Sequence, residues 1–276
     1  MNKITFVIFT YNEEKRIERV IKNLKNYGTV LIADNQSTDK TQEIAKKYGC
    51  DILIRTEEFE FVESQEMMNS LDEVVKTDWI YWGFADEMLD KKTLEEISRI
   101  IAINQYDIIS IDRKNYYHGR FCYDAFASRT NKIFKKHAID FSNNVIHGFG
   151  KPTVQPEKIY NLPDDMFVHH FISNTAQSYL NTINRYTETE LKFTHKDRGS
   201  VFNFILFPLK LFLSNFIFKK GYKAGFAGWN LVLFMIMYSI IKDIKFSEQR
   251  NNLSVKEIEL QNDIFRDTIL RNFDDK

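Results

Sequence analysis

The sequence predicts an α/β fold: a mostly parallel, doubly wound sheet carrying a helical, apolar C-terminal extension. Three observations carry that expectation. Short apolar runs alternate with helix-period segments as far as residue 111. Polar clusters recur where those runs stop. The alternation then breaks, and two long apolar stretches follow residue 200. Strands that alternate with helices form parallel sheets, because each crossover helix returns the chain to the same edge.

Residues 4–9 form a nearly continuous apolar run, the pattern of a strand covered on both faces. Thr10 and Glu13 then match a capping box, and Ile17, Val20, Ile21 and Leu24 recur at helical spacing. Residues 29–33 read as a second strand and 34–39 as a polar loop. A helix over 40–48 is stopped by Gly49, and 51–54 is a short third strand. Met67, Met68, Leu71, Val74 and Val75 line one face of a helix. The strand 79–84 ends in Ala85-Asp86-Glu87, a helix carries Leu94, Ile97, Ile100 and Ile101, and 107–111 is the next strand. From 113 to 129 the chain is polar and aromatic, resembling loops that close over a site. Residues 173–195 predict a helix with Tyr179, Leu180, Ile183 and Tyr186 on one face. The apolar stretches 201–218 and 224–241 are separated by Lys219-Lys220-Gly221-Tyr222-Lys223, and the last thirty residues read as a solvated helix or a loose tail. The division expected is 1–195 for the sheet domain and 196–276 for the apolar helical region.

The chain has 276 residues, 43% of them hydrophobic, enough for a sizeable core. Its formal net charge of zero argues against a nucleic-acid partner, since no basic excess exists to neutralise phosphates. Cys50 and Cys122 lack metal-ligand spacing, which fits a reducing compartment, and the apolar strand pattern begins too early for a leader peptide. A cytoplasmic protein is expected.

Ligands of doubly wound sheets lie beyond the carboxyl ends of the strands. Three polar clusters fall there: Thr10 to Glu13, Asp34 to Asp39, and Asp86-Glu87. Each has a plainer reading, as a helix cap, a turn, and a helix start complementing the dipole. Their coincidence at one sheet edge favours a site. Asp34 is placed to accept from a base N–H, Asn12 or Glu13 to take ribose hydroxyls, and Asp86 to hold a hard divalent cation.

Phe9-Thr10-Tyr11-Asn12-Glu13-Glu14, Asp34-Asn35-Gln36-Ser37-Thr38-Asp39 and Ala85-Asp86-Glu87 together resemble the signature set of family 2 glycosyltransferases with the GT-A fold. The closer resemblance is to the bacterial lipopolysaccharide-core β-glucosyltransferase-like group. It extends through Arg113-Lys114-Asn115, Ile133-Phe134-Lys135-Lys136, Val145-Ile146-His147, Asn184-Arg185-Tyr186 and residues 221–228. The resemblance implies a nucleotide-sugar donor, commonly UDP-linked, held by Thr10, Tyr11, Asn12, Glu13, Asp34 and Asp39. It also implies a divalent cation, Mn²⁺ or Mg²⁺, with Asp86 as the last carboxylate of an Asp-x-Asp motif. Transfer with inversion needs a base, for which His147, Asp124 and Asp140 are candidates, with His147 ranked first. Arg113, Arg129 and Lys132 are candidates for the diphosphate or the acceptor.

Three departures stand against the pattern. Phe84 replaces the first Asp of Asp-x-Asp, Glu66 stands near a position where such relatives often carry a basic residue, and the His-Glu pair reads His147-Gly148. These keep a catalytically silent binder of the same fold as the rival reading. A nucleotidyltransferase is disfavoured because no Gly-rich phosphate loop follows the first strand. The apolar stretches, flanked by Lys219, Lys220, Lys223, Lys242 and Lys245, suit a peripheral contact with the anionic inner face of the plasma membrane. A lipid-linked or surface-glycan acceptor (lipopolysaccharide or capsule) would make that contact useful. Packing on the sheet domain, or a homodimer contact, is the alternative use of the same helices.

Overall fold

A computed structural model describes residues 3–55, 62–144, 148–193 and 201–274. The alternating half runs β1 (Ile4–Thr10), α1 (Ile17–Leu24), β2 (Thr29–Asp34), α2 (Thr41–Lys47), β3 (Asp51–Ile54), α3 (Gln65–Val74), β4 (Trp79–Phe84), β5 (Glu87–Leu89) and α4 (Lys91–Ile103). β1 is buried at every position, as a strand with neighbours on both edges and helices on both faces must be. Phe6 and Ile8 pack with Ile17, Val20, Ile21 and Leu24 on one face; Val7 and Phe9 share the other with Met67, Met68 and Leu71. That alternation is the period-two signature of a strand inside two hydrophobic layers.

The second half adds β6 (Ile108–Tyr117), β7 (Arg120–Phe121), β8 (Ser128–Lys135), β9 (Ile139–Asp140), β10 (Lys151–Pro152), β11 (Ile159–Asn161) and β12 (Phe167–Ile172). The main sheet has the order β3-β2-β1-β4-β8-β6-β12-β5, with β7 and β11 also on β6. β3, β2, β1 and β4 are parallel, and so are β11, β6 and β12; β8 enters antiparallel between β4 and β6. The expected GT-A-type α/β fold is therefore present, with a mixed rather than uniformly parallel second half.

Two local expectations are corrected. Thr10 is the last residue of β1, and α1 begins seven residues past it, at Ile17, with Arg16 at its N-cap and no side-chain cap, so the Thr10–Glu13 capping box does not form. The polar stretch after residue 112 is not all loop. β6 continues to Tyr117 because β12 pairs along one edge while β8, as far as Arg113, and β7, at Tyr116 and Tyr117, pair along the other, a benefit that side-chain polarity does not reveal.

The C-terminal third comprises α5 (Ala176–Phe193), α6 (Val201–Phe212), a π-helical turn over Leu213–Phe218, a 3₁₀ turn over Gly221–Ala224, α7 (Phe226–Arg250) and α8 (Val255–Asp274). α7 packs on α5 through Tyr179 and Phe234, whose rings are 4.9 Å apart. Together with the preceding 3₁₀ turn it reaches the sheet and its loops where Ala224, Ala227 and Leu231 meet Tyr117, Cys122 and Ala125. The final segment is a helix, α8, exposed at every residue from Val255 to Arg271.

Candidate active site

The ends of β1 and β2 are adjacent, with Thr10 opposite Asp34 in register. Thr10 Oγ1 donates to Asp34 Oδ1 at 2.7 Å; Ser37 donates its N–H at 2.8 Å and its hydroxyl at 2.6 Å, and Gln42 Nε2 donates at 2.7 Å. Asp34 is fully buried, so these four bonds replace its hydration. A base N–H can reach this carboxylate only if one of those partners yields.

The two loops are zipped together. Asn12, at a φ of 55°, donates its N–H to Ser37 Oγ and accepts from the Thr38 N–H, both at 2.8 Å. Asn tolerates this left-handed conformation better than most residues. Asp39 accepts from the N–H groups of Glu14 (3.0 Å) and Thr41 (2.9 Å), which helps hold its carboxyl below the ordinary range against the opposing effect of burial. Tyr11 projects outward, 58% exposed, leaving its ring free. Arg55, just past β3, lies over the Phe9 ring, and its Nε is buried without a hydrogen-bond partner.

At the end of β4 the backbone turns through Ala85 and Asp86 into β5. The Asp86 carboxylate faces His170 of β12, with Oδ2 and Nε2 3.3 Å apart. The strands themselves are joined there, since the Phe171 N–H donates to the Asp86 carbonyl at 2.8 Å. Burial opposes ionisation of Asp86, but His170, Arg113 and Arg16 outweigh it and hold its carboxyl below the usual range. Glu13 shows the opposite balance: burial, with help from Asp86 and Asp39, raises it despite Arg16. Its environment carries negative charge that a cation would relieve.

Beside Asp86, Glu87 is buried and binds Lys132 through both carboxylate oxygens, one at 2.5 Å. It also accepts from the Phe84 N–H at 3.2 Å, and Arg113 stands 3.5 Å away. Burial draws the Lys132 ammonium below its ordinary value, opposed by Glu87. Phe84 turns its ring toward Phe9 (5.7 Å between centroids) and beneath the Lys132 ammonium, 5.1 Å from the centroid. The position that holds a carboxylate in the resembling family is thus filled by packing.

The remaining sequence candidates are dispersed. Arg129 is committed to Asp112 (2.8 Å) and Asp164 (2.9 Å), and Lys132 to Glu87. Asp124 pairs with Lys114 at 2.8 Å, Asp140 accepts from the Ser142 N–H at 2.8 Å, and His147 lies outside the described residues. His170 escaped sequence reasoning. Its signal was a His pair at the centre of the aromatic run Phe167–Ile172, where polar side chains are uncommon.

A divalent cation fits this donor set in part. Asp86 Oδ2 and His170 Nε2 are spaced as neighbouring ligands, and such cations commonly take one or two protein groups and complete their shell with phosphate oxygens and water. Among the described residues, no group of three or more His, Cys, Asp or Glu side chains gathers as a complete cage.

Comparison with known proteins follows the same line. The chain is 28% identical over 243 residues to an uncharacterized glycosyltransferase of Rickettsia typhi, covering 83% of this chain and 81% of the relative. It is 26% identical over 270 residues to one of Rickettsia prowazekii, covering 93% and 89%. Among solved structures, S. aureus TarS 1-349 in complex with UDP-GlcNAc matches at 16% identity and a TM-score of 0.45, over 92% of this chain and 93% of that one. The family model "Glycosyl transferase family 2" matches residues 5–153, more than half of the 276 residues. On that match the chain belongs to glycosyl transferase family 2 and is a glycosyltransferase.

Proposed function

We propose that this glycosyltransferase takes its sugar from a UDP-linked donor and passes it, with inversion, to a lipid-linked or surface glycan of the lipopolysaccharide or capsule kind at the inner face of the plasma membrane. The observation that supports it most is the placing of Asp86 and His170, 3.3 Å apart, at the same sheet edge as the zipped β1 and β2 loops. In this reading the exposed Tyr11 ring stacks on the base, while Asn12, Asp34 and Asp39 fix the loops that receive the nucleoside. Asp86 and His170 hold the cation. When bound, it supplies positive charge that stabilises the departing diphosphate. Arg113 adds a fixed charge beside it. His147 is assigned the base, with Asp124 and Asp140 as the other candidates.

The membrane half of the reading rests on charge and exposure. No Asp or Glu occurs from Gly199 to Lys242, whereas Lys210, Lys219, Lys220 and Lys223 fall among exposed Ile205, Leu209, Phe218 and Phe226. α7 is long and apolar enough to cross a membrane, yet a third of its apolar window (33%) is packed inside the protein, so interfacial binding is preferred to spanning.

Calorimetric titration of UDP, with and without Mn²⁺, into wild type and Asp86→Ala tests the site. The expected result is Mn²⁺-enhanced UDP binding that the substitution abolishes, followed by donor turnover once acceptor is supplied. UDP binding indifferent to both Mn²⁺ and Asp86 would overturn the cation reading. Binding without turnover would favour the silent relative, for which the Phe84 packing is the supporting observation.

A further inference from the structure

We propose that Asn115 and Asn215 are positioning residues, which together fix the His170 ring so that Nε2 presents a lone pair toward Asp86. The inference rests on the reading of Asp86 and His170 as cation ligands, but its first consequence is visible without a cation. Asn115 is a buried residue of β6. Its Nδ2 donates to the carbonyls of Ala125 and Phe126, each at 3.1 Å, which uses both of its hydrogens. Its Oδ1 is then the acceptor facing His170 Nδ1 at 2.8 Å. In a neutral imidazole the proton therefore sits on Nδ1, and Nε2 carries the lone pair opposite Asp86 Oδ2. A lone pair and a carboxylate attract each other only through something positive between them: the Nε2 proton when the ring is an imidazolium, which is how His170 favours the Asp86 carboxylate, or a cation held by both groups when the ring is neutral.

The chain of bonds continues into the C-terminal helices. Asn215, buried on the π-helical turn, donates to the Leu211 carbonyl at 3.0 Å and accepts from the Phe126 N–H at 2.9 Å. Phe126 is thus gripped by Asn115 at its carbonyl and by Asn215 at its N–H. It needs that grip, because its φ of 52° lies in the left-handed region that bulky side chains avoid, as does that of Tyr123 at 56°. The Asp124 N–H donates to the Lys219 carbonyl at 3.2 Å, a second tie between the loop and the helices. Gly221 closes the joint: a Cβ there would stand 2.7 Å from the Asn215 carbonyl and 3.2 Å from the Ala125 Cβ. A π-turn inside an apolar helix often marks a functional position. Here it aims an amide at the loop that sets the histidine.

The test is a long-range ¹H–¹⁵N correlation of the ring nitrogens in full-length, ¹⁵N-histidine-labelled protein, without nucleotide or metal, at about pH 8.5 where imidazoles are neutral. His170→Gln assigns the signal. The expected wild-type pattern is Nδ1–H, converted to a mixture of tautomers by Asn115→Ala and in smaller part by Asn215→Ala. Asn115→Asp, which keeps an acceptor, should retain Nδ1–H. The other histidine signals report whether each variant folds, and Asn215→Ser carries the test if an alanine variant does not. An Nε2–H wild type, or a pattern unmoved by Asn115→Ala, overturns the proposal. In the companion titration, Asn115→Ala should weaken the Mn²⁺ support of UDP binding about 10- to 100-fold. A wild type with the Nδ1–H tautomer but no Mn²⁺ dependence sustains the positioning and fails only the cation reading.

Discussion

The two halves of the site are built in different ways. The proposed nucleotide side joins residues 10–14 to residues 34–42, two neighbouring loops at the ends of adjacent parallel strands. The Asp86 side draws on β4, β6, the loop at 125–126, β12 and the π-turn at Asn215. A site made from one βαβ crossover is held by short contacts that form together. A site made from five distant segments is held only when the whole chain is in place, and the apolar C-terminal region is then part of its frame.

The largest effect is expected on the Asp86 side. Lys132→Met takes the nearest cation from buried Glu87, leaving only Arg113 at 3.5 Å, and should cost about 3–5 kcal/mol in urea unfolding. Glu87→Gln combined with Lys132→Met should recover most of that loss. A double variant no better than the single one would mean that the buried pair is not what supports the turn at Asp86.

Next comes the nucleotide side. Asp34→Ala strips the shared acceptor from Thr10, Ser37 and Gln42, with an expected loss of about 3 kcal/mol and of UDP binding. If stability falls while UDP affinity persists, Asp34 organises the loops without touching the base. Lys219→Ala with Lys220→Ala probes the far end of the Asp86 frame. It should weaken binding to anionic vesicles by about 2 kcal/mol, roughly 30-fold, and leave neutral vesicles unaffected.

Acid provides a smaller perturbation. Burial lowers the His169 imidazole below its ordinary value, with Asp90 in partial opposition. The unfolded chain then takes up this proton first, so stability conferred by the neutral ring is present above the unfolded value and lost as pH falls through that range. His169→Gln should flatten this part of the pH–stability curve. The smallest effect belongs to α8, which is exposed throughout; truncation after Asn252 should change the melting midpoint by no more than about 0.5 kcal/mol in stability. A larger, concentration-dependent loss would identify α8 as a contact between subunits.

Much of the fold was legible because each parallel strand writes its burial directly into the chain. Val7 and Phe9 against Phe6 and Ile8 require covers on both faces, and Ile17 to Leu24 supply one of them at helical spacing. The polar strand ends were legible for the same reason: Thr10, Asn12, Asp34 and Asp39 interrupt apolar runs at positions no core would choose. Misreadings arose where two patterns coincide. Thr10-x-x-Glu13 has the letters of a capping box, but the β1–β2 register places Thr10 opposite Asp34 and takes its hydroxyl first.

By itself the sequence determined the βα alternation, the family and the polar loops that close the ends of β1 and β2, all of which follow from neighbours close along the chain. Tertiary structure alone decided that His170 meets Asp86, that Asn115 and Asn215 hold one loop from two sides, and that Lys132 is spent on Glu87. Those groups are separated by tens of residues, and no periodicity records which distant side chain will satisfy a buried polar atom. Only the closed sheet and the docked helices bring each donor to its acceptor.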